Sequence, residues 1–169
     1  MAEEKELEKK SLLRVIVHSF FIIPFLIAVL CVLLFASFYL LTQEQHTAYD
    51  FLEDIETGGF PKRWQAAFEL SKILANPQLV PDDEGFDQAL IKAFEHSQHD
   101  DPLVRQYLAL AMGRTQKAVF FEPLAENIQK EPEDNLYAVI YALGMLSDKR
   151  AARILYPYLE SDNPRIRSL

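Results

Sequence analysis

From Val15 to Leu41 the chain reads VIVHSFFIIPFLIAVLCVLLFASFYLL without one Asp, Glu, Lys or Arg, while the residues on either side are densely charged. Such a run predicts a single membrane-spanning helix. At about 1.5 Å per residue it reaches ~40 Å, against a hydrocarbon core of about 30 Å. A signal peptide has an apolar stretch of only about 7–15 residues ahead of small residues, whereas this run leads into Tyr39, Leu40 and Leu41. Cys31 follows Leu30 in mid-span and reads as a small apolar residue rather than a lipid-modification site. His18, beside Ser19 at the charged end, reads as an interfacial side chain, and Pro24 sits where a kink is tolerated. Beyond the span, Thr42 to Thr57 is expected to continue as helix until Gly58-Gly59, with Tyr49, Leu52, Ile55 and Phe51 forming its apolar side.

Further along, apolar positions recur at helical spacing in segments that open and close alike. Asp101-Pro102-Leu103-Val104-Arg105 opens a helix that closes at Ala111-Met112-Gly113, and the helix from Asn135 closes in the same way at Leu143-Gly144. The opening returns at Asp162-Asn163-Pro164-Arg165-Ile166-Arg167, where Arg167 stands twice as far from Arg105 as Gly144 stands from Gly113. Partner helices are expected over Lys117 to Lys130 and Lys149 to Glu160, bent at Pro123 and Pro157. Phe60 to Ala75 is a degenerate member, with Arg63 at the place of Arg105 but more than one interval before it, the extra length falling in the turn-rich Asn76 to Gly85. A fixed period of about 30 residues predicts stacked helical hairpins, here an all-α domain over residues 60–169. The Pro occupies a first turn, where its missing N–H costs nothing, the Asp or Asn before it caps free donors, and the closing Gly suits a left-handed stop. The chain stops at Leu169, just inside the helix that Asp162 opens, so further repeats are expected.

These residues resemble HEAT repeats, in particular the short bacterial type of the phycobilisome lyases. In that family a D-P-x-V-R start leads the second helix of each hairpin, which ends in A-L-G, and the first helix follows a short Asp-containing turn. Asp101-Pro102-Leu103-Val104-Arg105, Ala142-Leu143-Gly144 and Ser147-Asp148-Lys149-Arg150-Ala151 fit that pattern, and the match runs from Asp100 to the end of the chain. The resemblance implies an α-solenoid. It does not extend to the iron chemistry of HEAT-repeat hydroxylases, which use several His-Glu pairs, because this chain has one reversed pair, Glu95-His96.

Charge assigns a side to the span. Lys5, Lys9, Lys10 and Arg14 precede it, and no Lys or Arg follows until Lys62. Basic residues near a span stay in the cytoplasm, so residues 1–14 form a cytoplasmic tail and the rest is expected outside, in a bacterium the periplasm. In the tail Glu3, Glu4, Glu6 and Glu8 balance the basic residues, so everything from Thr42 on holds the whole net charge of −8. An acidic domain does not track a phosphate backbone, which argues against nucleic acid as a partner.

Aligned on their openings, the second helices place Trp64, Gln106 and Tyr137 at one position and Phe68, Leu110 and Tyr141 one turn on. The resemblance puts these positions on the inner surface of the superhelix, where they are usually charged. Five of the six here are aromatic or aliphatic, which makes the stripe a candidate protein-binding surface. Asp101 with Arg105, and Asp162 with Arg167, read as ties between neighbouring hairpins. The one concentrated set of titratable residues, Glu95 to Asp101 with His96 and His99, reads as a polar helix end rather than a metal site, and no catalytic or cofactor residues are assigned. The expectation is a non-catalytic scaffold, anchored in the inner membrane, that binds a membrane-associated protein. Alternatives are an accessory subunit of a transport or secretion complex, and a lyase-like or metal-dependent enzyme.

Overall fold

The computed structural model describes residues 18–42 and 46–169, and among them every regular element is helical. The chain divides into two compact units, one ending at Gln45 and one running from His46 to Leu169. The N-terminal tail assigned to residues 1–14, and residues 15–17 of the expected span, lie outside the described residues.

In the first unit a π-helical turn, His18–Ile22, leads into α1, Ile23–Thr42. Pro24 accounts for the wider turn: it has no N–H to donate, and its ring crowds the carbonyl four residues back, so the ladder loosens there. His18–Leu40, with mean hydropathy 2.9, is one helix long and apolar enough to cross a membrane.

The second unit begins with a break where sequence periodicity led us to expect continuous helix. Thr47 has extended backbone (φ −85°, ψ 167°) and forms a reciprocal cap with Asp50: the Thr47 N–H donates to Asp50 Oδ2 at 2.7 Å, and the Asp50 N–H to Thr47 Oγ1 at 3.3 Å. A new helix, α2, therefore starts at Ala48 and runs to Thr57. It buries Ala48, Leu52 and Ile55 but leaves Tyr49 exposed.

The series that follows is α3 (Phe60–Ile73), α4 (Glu84–His96), α5 (Pro102–Thr115), α6 (Phe121–Asn127), α7 (Glu133–Met145), α8 (Lys149–Leu155) and α9 (Pro164–Arg167). Helix α3 packs on α2 and α5, α5 on α7, and the shorter α4 and α6 lie against α5 and α7 respectively. The segments holding Pro123 and Pro157 are split into α-helical and 3₁₀ pieces: 118–120, α6 and 128–130, then α8 and 156–160. The core between these layers is apolar, with Leu70, Phe86, Leu90, Phe94, Leu108, Met112, Phe120, Leu124 and Leu143 among its fully buried side chains. Each contributes about 1.5–3 kcal/mol by leaving water.

The closing glycines lie inside their helices rather than stopping them. Gly113 lies within α5, and a Cβ there would sit 2.7 Å from the Cα of Ala142, so its role is to let α5 and α7 touch. Among the described residues the left-handed ones are Gln116 (φ 56°) and Ser147 (φ 54°), which repeat at the same interval as Gly113 and Gly144.

Candidate functional site

Four helix openings hold the candidate residues in register. The residues just before α3, α5, α7 and α9 are Gly59, Asp101, Pro132 and Asn163, and four positions further on stand Arg63, Arg105, Leu136 and Arg167. The first two arginines make equivalent bonds. Arg63 Nε donates to the Ile55 carbonyl at 2.7 Å on the preceding helix and pairs with Asp100, in the turn before α5. Arg105 Nη1 donates to the Phe94 carbonyl at 2.6 Å, again on the preceding helix, and its guanidinium pairs with Glu131 in the turn before α7. Nε reaches the two Glu131 oxygens at 2.8 and 2.9 Å. The guanidinium also lies 4.1 Å over the Phe94 ring.

This corrects the expected Asp101–Arg105 pair. Asp101 caps α5, accepting from the Leu103 N–H at 2.9 Å, and its carboxylate is used there. Arg105 does join neighbouring elements, but through Glu131, which sequence reasoning missed. A usable signal existed: Asp100 and Glu131 each immediately precede a helix opening. Asp162 and Arg167 are not an ion pair either; Arg167 Nη1 donates to the Ser161 and Asp162 carbonyls at 2.6 and 3.1 Å.

The six stripe residues separate into two rows. Trp64, Gln106 and Tyr137 are packed between helices, Gln106 being buried and the other two half-buried. Gln106 Nε2 donates to the Asp134 carbonyl at 3.0 Å and to Asn135 Oδ1 at 3.2 Å, while the Tyr137 hydroxyl donates to Gln106 Oε1 at 2.9 Å. The Arg165 guanidinium covers the Tyr137 ring at 4.1 Å. The second row is more open: Phe68 is 37% exposed, Tyr141 49%, and Leu110 lies half-buried between them. Tyr107, not singled out by its sequence position, meets Phe68 edge-on at 5.1 Å and extends this row, and Lys72 Nζ lies 5.1 Å over the Phe68 ring. One helical turn thus separates a structural row from a presented one.

The histidine-rich segment is dispersed in its bonding. His96 and His99 are exposed, Asp100 pairs with Arg63, Asp101 caps α5, and Ser97 is buried with its hydroxyl donating to the Phe94 carbonyl. Among the described residues no three His, Cys, Asp or Glu side chains converge. Perturbed carboxyls lie away from the presented row. A hydrogen bond from the Tyr49 hydroxyl holds Asp83 below its ordinary value, and the Thr47 backbone N–H and the Arg150 side chain do the same for Asp50 and Asp148. All three act as helix caps, so their perturbation is accounted for by structure.

A scan of the chain against protein-family models and a search of curated proteins each returned no match.

Proposed function

We propose that the chain is a membrane-anchored, non-catalytic scaffold whose HEAT-like α-solenoid presents the row Phe68, Leu110 and Tyr141, with Tyr107, to a protein partner at the membrane surface. The presented row carries this reading: Phe68 on α3 and Tyr141 on α7 are exposed, with Leu110 and Tyr107 of α5 half-buried beside them, in the residue types that anchor interfaces. The solenoid reading is supported by the recurring arginine contact of Arg63 and Arg105 and by the left-handed stops at Gln116 and Ser147, which keep the interval of the helix ends. The anchor is His18–Leu40, whose 23 residues reach ~35 Å at about 1.5 Å per residue. Its flanking charges favour an N-terminus in the cytoplasm and the helical domain outside, at the inner membrane.

Crosslinking followed by purification from membranes tests this reading, comparing the native chain with the pair Phe68→Ser and Leu110→Ser. The native chain is expected to recover a membrane-associated protein and the double variant, folded by circular dichroism, to lose at least about tenfold of it, as for truncation of interface anchors. Full recovery by the folded variant refutes this choice of surface.

A further inference from the structure

The row Phe68, Leu110 and Tyr141 has different chemistry on its two sides. One turn towards the helix openings stand Trp64, Gln106 and Tyr137, none of them charged. One turn the other way stand Lys72 on α3 and Arg114 on α5. Helix α3 is packed between α2 and α5, and α5 between α3 and α7, so this part of the surface stays open with its lateral neighbours in place.

The two cations make a basic edge in a domain that is acidic overall. Arg114 is half-buried, and no carboxylate among the described residues pairs with it. Its Nη1 donates to the Ser71 carbonyl at 2.5 Å and to Ser71 Oγ at 3.1 Å, which leaves Nε and Nη2 as spare donors. Lys72 pairs with Glu69 at 2.8 Å, but the two side chains are 53% and 44% exposed, so that pair is weak. With Glu69 set against both cations, the edge keeps a positive charge.

Spacing selects the shape of what fits here. Packed helices lie about 8–10 Å apart, so large side chains on α3 and α5 recur at that distance across the row. A helix laid across them covers it in about seven residues, two turns, and returns to the same face. An extended strand covers it in about three residues and, because its side chains alternate, presents the opposite face.

We propose that the row receives an amphipathic helix of a partner protein, laid across α3 and α5. Its apolar residues, about seven apart, rest on Phe68 and Leu110, and carboxylates along one flank meet Lys72 and Arg114. This rests on the row being the partner surface and adds the partner's shape and charge. A carboxylate there supplies the counter-charge that the half-buried Arg114 lacks.

The probe is a blocked synthetic helix of about 20 residues with Leu in heptad spacing and Glu along one flank, beside a mate carrying Lys for each Glu. Each is titrated by fluorescence anisotropy into the full chain in phosphatidylcholine nanodiscs, with empty discs as the blank. The acidic peptide is expected to bind saturably and its mate at least about tenfold more weakly. Arg114→Gln, or the more exposed Lys72→Gln, should weaken the acidic peptide about tenfold and leave the mate unchanged, whereas Phe68→Ser should weaken both alike. Absence of binding, equal affinity for the two peptides, or binding indifferent to Phe68→Ser overturns the proposal. So does self-association, seen in sedimentation as a doubled mass that Phe68→Ser abolishes. If neither peptide binds while capture from membranes is still lost on Phe68→Ser with Leu110→Ser, the helix and its charge fall and the row stands.

Discussion

The junctions α3/α5 and α5/α7 are each bridged by an arginine that grips a carbonyl behind it and a carboxylate ahead of it; the junction α7/α9 has Leu136 in that place. At this third junction the polar links are on the outside, Asn163 Nδ2 donating to Glu133 at 2.5 Å and Arg165 over Tyr137. The difference separates two ways of joining helices. A buried ion pair adds little net free energy over an apolar substitute, but it is costly to violate and therefore dictates which turn meets which helix. The third junction, with Leu136 in the arginine's place, lacks that constraint.

Arg105→Met makes the sharpest break in this contrast. The side chains of Arg105 and Glu131 are 3% and 1% exposed, so the variant strands a buried carboxylate and is expected to lose about 3–5 kcal/mol in urea unfolding. Replacing both, Arg105→Met with Glu131→Leu, should restore most of that loss. A single variant within about 1 kcal/mol of the native chain would remove the arginine from any role in specifying the junction.

A smaller effect, of opposite sign at the two glycines, sharpens the comparison. Gly113→Ala drives a methyl against the Ala142 backbone and should destabilise by about 1–3 kcal/mol. Gly144→Ala adds a better helix former in open space and should stabilise by about 0.5–1 kcal/mol. Thermal unfolding of the two variants side by side decides the matter; equal shifts would mean that the close backbone approach at Gly113 sets no difference between the two positions.

The smallest expected effect is on acid stability. Asp50, Asp83 and Asp148 have folded values below their unfolded ones, so their contribution is present above the ordinary carboxylate value of about 4 and is lost as pH falls through the folded values. The melting temperature should therefore drop in that acid range, and Asp148→Asn should flatten the drop. These groups predict no change between neutral pH and mild alkali.

Helix positions were largely legible because their causes are local. Pro102 and Pro164 in first turns, and Asp101 and Asn163 as caps, each act within a few residues of the chain, and their recurrence marks the interval. The break at Thr47 was equally local, yet the apolar spacing around it obscured the capping box. What periodicity cannot supply is the identity of a residue's neighbour. It set Gln106 in one row with Trp64 and Tyr137 on a presented surface, whereas Gln106 is buried, with Asp134 and Asn135 accepting its amide. It marked Gly113 as special but not for the touching of two backbones. The arginine at a helix opening was visible; its carboxylate, 26 residues away, was defined only by packing.

The Gln106 amide sets a direction across the α5/α7 contact. Its nitrogen is committed to Asp134 and Asn135, which leaves its oxygen to receive the Tyr137 hydroxyl, so donors and acceptors fit in one orientation only. Apolar surfaces alone would let one helix creep along the other in small steps. Here a slide of one residue breaks all three links together, so the contact resists shear as a toothed rack does rather than as a greased plane.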